Sequence, residues 1–286
     1  MALNIVDAIE PFNESLTSHD NFIIAHNWGP DRWGCSFTRT QVHETDDGTK
    51  ITIGKDSDRK PYSCGELIYR QANLSYGNYQ IEMIASNIVG QVTSFFLIAN
   101  GDTEIDIELT GLNNRVGWMN IWNDNKQNPV SIDLPFDSSK DWHSYQFEWR
   151  PQYVAWSVDG NVVLNRSDIR TTPPDQANYK LAINSWTQVQ PEVNIEWAGK
   201  FTYPNDGRIP QAHFRNINYT PWSSNQSNNG HKQHTDDDES NEAGLNAPKD
   251  GSQKISNAGG VKSPESILAI GSGAIVAVAM AFTVWF

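Results

Sequence analysis

The 286-residue sequence is short of basic residues, of cysteine and of charge in general. Its 21 Lys and Arg stand against 34 Asp and Glu, which gives a formal net charge of −13. Binding to a phosphate backbone requires a basic surface, so nucleic acid is excluded as a partner. Charged residues make up only 19% of the chain while 11 residues are tryptophan. This composition excludes full-length disorder and predicts a packed, aromatic-rich body.

The two cysteines, Cys35 and Cys64, are too few for a disulfide scaffold. Neither lies in a CxxC motif or beside a histidine at ligand spacing, so the sequence does not indicate a zinc site. They form either one bridge or two thiols. Five Asn-x-Ser/Thr sequons are typical of an extracellular glycoprotein, where oxidation is permitted, and they favour the bridge. The sequons begin at Asn13, Asn73, Asn165, Asn218 and Asn225.

Helical periodicity longer than two turns is missing between residues 8 and 222. Short runs of β-forming residues occur there instead, separated by turn signals. The clearest runs are residues 50–53, 77–83, 93–98, 142–149 and 153–158. Asp47-Gly48 and Asp159-Gly160 are typical of hairpin turns. The pattern predicts one all-β domain over residues 8–222, a sandwich or jelly roll rather than alternating α/β units.

Long hydrophobic runs are absent before the C-terminus. Residues 223–266 are rich in Ser, Asn, His, Lys and Asp, with an acidic run at 236–239, and we expect a solvated, disordered linker. Residues 267–286 carry no charge. At about 1.5 Å per helical residue they are long enough to cross a ~30 Å hydrocarbon layer as a helix.

The residues before this segment determine how it is interpreted. Small residues at 256–259, a polar spacer and the hydrophobic tail are typical of a GPI-attachment signal, with Asn257 as the attachment residue. The alternative is a retained membrane helix. Both predict a protein at the cell surface or outside the cell, anchored to a membrane. Residues 1–10 lack the features of a secretory leader, so we expect a truncated or mis-assigned start; the alternative is a tail that inserts after synthesis.

Three acidic residues occupy alternate positions in Glu104-Ile-Asp106-Ile-Glu108. In a strand they share one face, and the intervening apolar side chains point to the core. Like charges in a row repel, so a merely solvated strand would more naturally carry mixed charge, although a plain acidic surface is the alternative. Leaning together, the two glutamates bring their carboxyls to about 5 to 6 Å. That separation suits a retaining glycosidase, in which one carboxylate is the nucleophile and the other the acid/base.

Asp106 between them would keep the outer pair in different protonation states, because neighbouring carboxylates raise one another's pKa. This chemistry needs no metal and no cofactor.

The pentad resembles the ExDxE signature of family 16 glycoside hydrolases, in the form without the extra bulge residue. Tyr76-Gly-Asn-Tyr, Trp142-His-Ser-Tyr-Gln-Phe-Glu-Trp and Asn184-Ser-Trp186 follow in the order of bacterial β-1,3-1,4-glucanases. The resemblance covers most of residues 8–222. It implies a concanavalin-like β-jelly roll in which Glu104 is the nucleophile, Asp106 its helper and Glu108 the general acid/base.

The same resemblance implies residues that bind sugar. Asn120 and Trp122 resemble a pair that holds the sugar nearest the scissile bond. Asn184 and Trp186 resemble a second such pair, and Glu66 resembles a residue that binds sugar hydroxyls. Indole faces stack on pyranose rings while Asn and Glu satisfy their hydroxyls. For each tryptophan the alternative is simply a place in the core.

Other residues are weaker candidates. Trp28 and Trp197 are weaker candidates for the cleft than Trp122 and Trp186. We expect His143 to be structural, because the carboxylates already fill the acid and base roles. Many family members bind structural calcium through backbone carbonyls and a late Asp. The matching position here is Arg215, which would repel the ion, so no metal is expected.

The sequence therefore predicts a monomeric, surface-tethered, retaining endo-hydrolase of β-1,3 or mixed β-1,3/1,4-glucan, with the polysaccharide as its partner. One alternative is a wall-remodelling transglycosylase, which passes the glycosyl-enzyme to a sugar acceptor. A second is a non-catalytic carbohydrate-binding surface protein. The three acids argue against a pure binder, which has no reason to bear their repulsion.

Overall fold

The structure is a computed structural model that describes residues 9–29, 33–55, 59–100, 103–124, 126–188 and 196–223. The predicted linker beyond residue 223, the hydrophobic segment 267–286 and Asn257 lie outside these residues. In the part of the chain that is described, no helix is both long and apolar enough to span a bilayer.

The described residues form strands and a single turn of 3-10 helix, Arg39–Gln41. The strands are β1 Phe12–Glu14, β2 Phe22–Ile24, β3 Cys35–Phe37, β4 Val42–Thr45, β5 Gly48–Thr52, β6 Tyr62–Tyr69, β7 Gly77–Ile84, β8 Gln91–Ala99, β9 Thr103–Thr110, β10 Val116–Asn123, β11 Lys126–Gln127, β12 Val130–Asp133, β13 His143–Arg150, β14 Tyr153–Val158, β15 Asn161–Arg166, β16 Lys180–Thr187 and β17 Gln211–Pro221. The predicted all-β class is confirmed.

Two sheets make up the jelly-roll sandwich. The outer sheet has the order β15-β14-β13-β7-β17-β5-β4, with β1 beside β17. The other, which we call the carboxylate sheet, has the order β11-β10-β9-β8-β16-β6-β2, with β12 on β10 and β3 on β6. All these pairs are antiparallel except that of β3 with β6, which is parallel.

The main core lies between the two sheets and is strongly aromatic. Side chains alternate between buried and half-buried along β7 and β13, as expected for strands with one face on the core. Tyr79 stacks on Phe147 at 5.0 Å and on Tyr219 at 4.7 Å between ring centroids. Each buried aromatic contributes about 1.5–3 kcal/mol through removal of apolar surface from water.

Both predicted hairpins are present, one of them shifted. Asp159 and Gly160 have φ of 48° and 77° and join β14 to β15, as a type I′ turn requires. In the other hairpin Thr45 pairs with Gly48, so the loop residues are Asp46 and Asp47, one position earlier than predicted. Gly48 has φ +121°, and a Cβ there would lie 2.3 Å from the Phe214 carbonyl oxygen.

Cys35 and Cys64 form a disulfide with a Cα–Cα distance of 5.7 Å, which decides between the two alternatives for this pair. The bridge joins β3 to β6 and is fully buried. It belongs to a second apolar cluster on the far side of the carboxylate sheet, together with Trp33, Phe37 and Trp186. The carboxylate sheet is therefore covered by packed side chains on both faces.

Candidate active site

The three acids lie on β9, a central strand of the carboxylate sheet. Glu104 pairs with Trp122 and Ile98, and Glu108 with Trp118 and Ser94, without a register shift between them. The strand is thus regular, as the form of the signature without a bulge predicts. The intervening side chains of β9 belong to the main core.

All three acids face away from the main core and are nevertheless buried. Glu104, Asp106 and Glu108 are 5%, 2% and 9% exposed. The shared face is confirmed, and the burial excludes a plain solvated acidic surface. The backbone at the middle acid is anchored from the opposite sheet, because the indole N–H of Trp156 donates to the Asp106 carbonyl oxygen at 3.1 Å.

β10 supplies the partners on one side. Asn120 lies directly opposite Asp106, and its Nδ2 donates to Asp106 Oδ2 at 3.1 Å. The backbone N–H of Asn128 donates to Asn120 Oδ1 at 2.8 Å, which determines the orientation of the amide. Trp122 lies opposite Glu104 and is 2% exposed.

A row of polar side chains crosses the sheet in the other direction. Glu108 lies opposite Ser94, Ser94 opposite Asn184, and Asn184 opposite Glu66. Asn184 Nδ2 donates to Glu66 Oε2 at 3.0 Å. We call these four residues the polar row. It spans about 14 Å across four neighbouring strands.

Burial dominates the protonation of these acids. It raises the pKa of Glu108 well above its usual range, and the charge of Asp106 raises it further. Burial raises the pKa of Asp106 to about 7, against the lowering effect of the hydrogen bond from Asn120. The pKa of Glu66 rises to about 8 for the same reason, opposed by the bond from Asn184. Both shifts favour the protonated forms of Glu108 and Glu66.

Several buried polar atoms in this region have no hydrogen bond of normal geometry with the protein. They are Ser94 Oγ, Asp106 Oδ1, Trp122 Nε1 and Asn184 Oδ1. Leaving a buried polar group unsatisfied costs about 1–3 kcal/mol, and such groups in a native protein need an explanation. Donors and acceptors clustered on one sheet face suit a ligand rich in hydroxyl groups.

Trp186 lies on the same sheet face but is packed rather than open. It is 3% exposed, and its ring stacks on Trp33 at 4.3 Å with an interplanar angle of 10°. Trp197 approaches it at 5.8 Å. Trp186 is thus packed like a core residue, which was the alternative interpretation of this tryptophan. Sequence reasoning missed Trp33, since no local pattern indicates its contact with Trp186, 153 residues later in the chain.

The remaining candidates lie apart from the three acids. His143 belongs to the outer sheet, where its Nδ1 lies 2.8 Å from Asp159 Oδ2 and its ring stacks on Phe136, as expected of a structural residue. The rings of Trp28 and Phe37 pack edge to face, with their centroids 5.3 Å apart.

Sequence reasoning also missed the position of Ser94 opposite Glu108. Alternation places it on one face of β8, but the pairing with β9 decides its neighbour.

Comparisons with known proteins point to one family. The model of the family "Glycosyl hydrolases family 16" matches residues 30–202. A beta-glucanase of Acetivibrio thermocellus is 33% identical over 200 residues, which cover 66% of this chain and 55% of that protein. The chain thus spans about half the length of this relative.

Solved structures share the fold. A prokaryotic beta-1,3-1,4-glucanase (lichenase) derived from a mouse hindgut metagenome has a TM-score of 0.66 at 28% identity, covering 75% of this chain and all of that one. The Crh5 transglycosylase in complex with NAG has a TM-score of 0.60 at 17% identity, covering 76% of this chain and 86% of that one. At that identity the second likeness shows the fold alone.

Proposed function

Because the chain belongs to family 16 of the glycosyl hydrolases, we propose that it is a retaining, endo-acting glycosidase that cleaves β-1,3 or mixed β-1,3/1,4-glucan. The observation that carries the proposal is the regular register of β9, with three buried acids on one face. The names of the relatives, beta-glucanase and beta-1,3-1,4-glucanase, support the substrate class.

The reaction uses the two outer acids in turn. Glu104 attacks the anomeric carbon as the bond to the leaving oxygen breaks, and Glu108 gives its proton to that oxygen. Water then attacks the glycosyl-enzyme and Glu108 takes a proton from it, which releases Glu104 and a product of retained configuration. The raised pKa of Glu108 supports this assignment, because the first step needs its protonated form at neutral pH.

Asp106 acts through its neighbours. Its charge raises the pKa of Glu108, and its own pKa of about 7 lets it hold or release a proton as charge moves between the outer acids. The bond from Asn120 directs one carboxylate oxygen, so the other is available to a ligand or to a neighbouring acid.

Sugar hydroxyls would be recognised by the buried polar atoms around the acids. Trp122 Nε1 is a donor beside Glu104, and Asn184 Oδ1 is an acceptor within the polar row. Glu66, protonated at neutral pH, supplies a further donor. A sugar could stack on the covered face of Trp186 only after Trp33 moves away.

The test is a polysaccharide panel applied to the full chain: lichenan, laminarin and xyloglucan, each with and without labelled oligosaccharide acceptors. New reducing ends without elongated label support hydrolysis. Elongated labelled products identify the transglycosylase alternative, and binding without either product overturns the enzymatic proposal.

The nucleophile has its own test. Glu104→Gln should abolish turnover, and azide should rescue Glu104→Ala with a glycosyl azide of inverted configuration. Glu10→Gln, which changes an exposed glutamate, is the matched control and should behave like the wild type. Full turnover by Glu104→Gln would contradict the assignment.

We also propose that the protein is a surface-tethered monomer. The disulfide and the sequons support an oxidising compartment. A phosphatidylinositol-specific phospholipase should release a GPI-anchored form from membranes, whereas retention after treatment would favour a membrane helix in residues 267–286.

A further inference from the structure

Ser94 is a strand residue whose side-chain hydroxyl is buried beside Glu108. It lies in β8, directly opposite Glu108, so the two Cβ atoms are about 4.5–5.5 Å apart. The residue is 3% exposed, and its hydroxyl has no hydrogen bond of normal geometry with the protein. Buried hydroxyls in native proteins are nearly always hydrogen-bonded, so this exception needs an explanation.

The surroundings of Glu108 contain few other groups that could act on its carboxyl. Its own strand contributes two acids on the same face: Asp106, whose charge opposes ionisation of Glu108, and Glu104, four residues away. On β10 it faces the indole of Trp118, which does not titrate. The next titratable group along the polar row is Glu66, three strands away. Among these neighbours, the Ser94 hydroxyl favours the ionised form of Glu108 and lowers its pKa.

We propose that Ser94 is a positioning residue for the acid/base, whose hydroxyl donates to the Glu108 carboxylate once it has given up its proton and holds it for the second step. The inference rests on the proposed function. A short hydrogen bond forms when the Glu108 carboxylate is charged, because charge-assisted bonds are shorter and stronger than neutral ones. Ser94 itself forms and breaks no covalent bond.

The experiment compares Ser94→Ala with Ser94→Thr, which retains the hydroxyl. In Ser94→Ala the basic limb of kcat/KM, where Glu108 loses its proton, should move upward by about one pH unit, and kcat should fall about tenfold. Ser94→Thr should restore the limb. Ser144→Ala removes a hydroxyl from the outer sheet, where it accepts from Gln80, and serves as the control.

A second readout does not depend on activity. The carboxyl carbon of Glu108 can be followed by ¹³C NMR through its pH titration, with Glu108→Gln used to assign the signal. The midpoint should rise in Ser94→Ala and not in Ser94→Thr. An unchanged limb and midpoint in a folded Ser94→Ala variant would overturn the proposal. A wild-type chain without glucan cleavage would instead overturn the proposed function, and the NMR midpoint would still decide the Ser94–Glu108 contact.

Discussion

The amide of Asn120 donates to the carboxylate of Asp106 across the β9–β10 pair, at 3.1 Å. It cannot rotate away easily, because Asn128 donates to its other end at 2.8 Å. The middle acid of the signature is thus held by a neighbour whose own orientation is determined by the backbone. This bond opposes the effect of burial, which raises the pKa of Asp106 to about 7.

Asn120→Ala should therefore raise the pKa of Asp106 above its present value and remove charge from beside Glu108. Hydrogen bonds to charged groups contribute about 1.5–3 kcal/mol, so we expect kcat to fall about ten- to a hundredfold. Steady-state kinetics across pH provides the measurement. Asn123→Ala on the same strand, whose side chain donates to the Arg170 carbonyl instead, should stay near the wild type. An unaltered kcat in Asn120→Ala would refute a role for this bond.

Glu66 should make the stability depend on pH. Its pKa is about 8 in the folded protein against a usual value of 4.5. Between these values the unfolded chain has lost this proton while the folded chain keeps it, so the free energy of unfolding falls as pH rises. The slope from this one group is at most about 1.4 kcal/mol per pH unit.

Glu66→Gln cannot titrate and should flatten that part of the profile between about pH 4.5 and 8. Urea unfolding at a series of pH values measures it. Glu10→Gln, at an exposed site, should leave the slope as it is. If Glu66→Gln and the wild type had parallel profiles, Glu66 would titrate near its usual value in the folded state as well.

Removing the disulfide should destabilise the domain. The bridge closes a loop with a sequence separation of 29. In the chain-entropy account, the variant with both Cys35→Ala and Cys64→Ala should lose about 3.5 kcal/mol in the free energy of unfolding. Denaturant unfolding of the wild type with reductant should give the same loss, and reductant should not affect the double variant. Equal stability of all three samples would count against the bridge.

Chelators should leave the melting temperature unchanged, because the cationic side chain of Arg215 stands where the family resemblance implies a calcium-binding Asp. Arg215 donates to Glu82 at 2.7 Å and to Asp47 at 2.8 Å, and its guanidinium lies 4.2 Å from the Trp142 ring. Arg215→Met should lower stability by about 1 kcal/mol, since the group is partly exposed. Calorimetry with EDTA and with added calcium tests both points. A rise in melting temperature with calcium would show that a metal site exists after all.

Much of the site could be anticipated from local pattern. Three acids at alternate positions must share a face of any strand they form, and the apolar residues between them must face the core. Asn120 and Trp122 are also two residues apart, as are Asn184 and Trp186, so each pair must share one face of its strand. The position of a turn was harder to predict. The sequence placed the first hairpin turn at Asp47-Gly48, whereas in the structure the loop residues are Asp46 and Asp47.

The sequence alone determined the fold class and the shared face of the three acids, because both follow from the period of a strand and the separation of apolar from polar side chains. Only the tertiary structure decided which strands are neighbours, and so brought Glu66 to Asn184 across 118 residues and Ser94 to Glu108. It also decided the burial of these acids and the covering of Trp186 by Trp33. Long-range pairing and desolvation arise from segments far apart in the chain, and no local pattern encodes them.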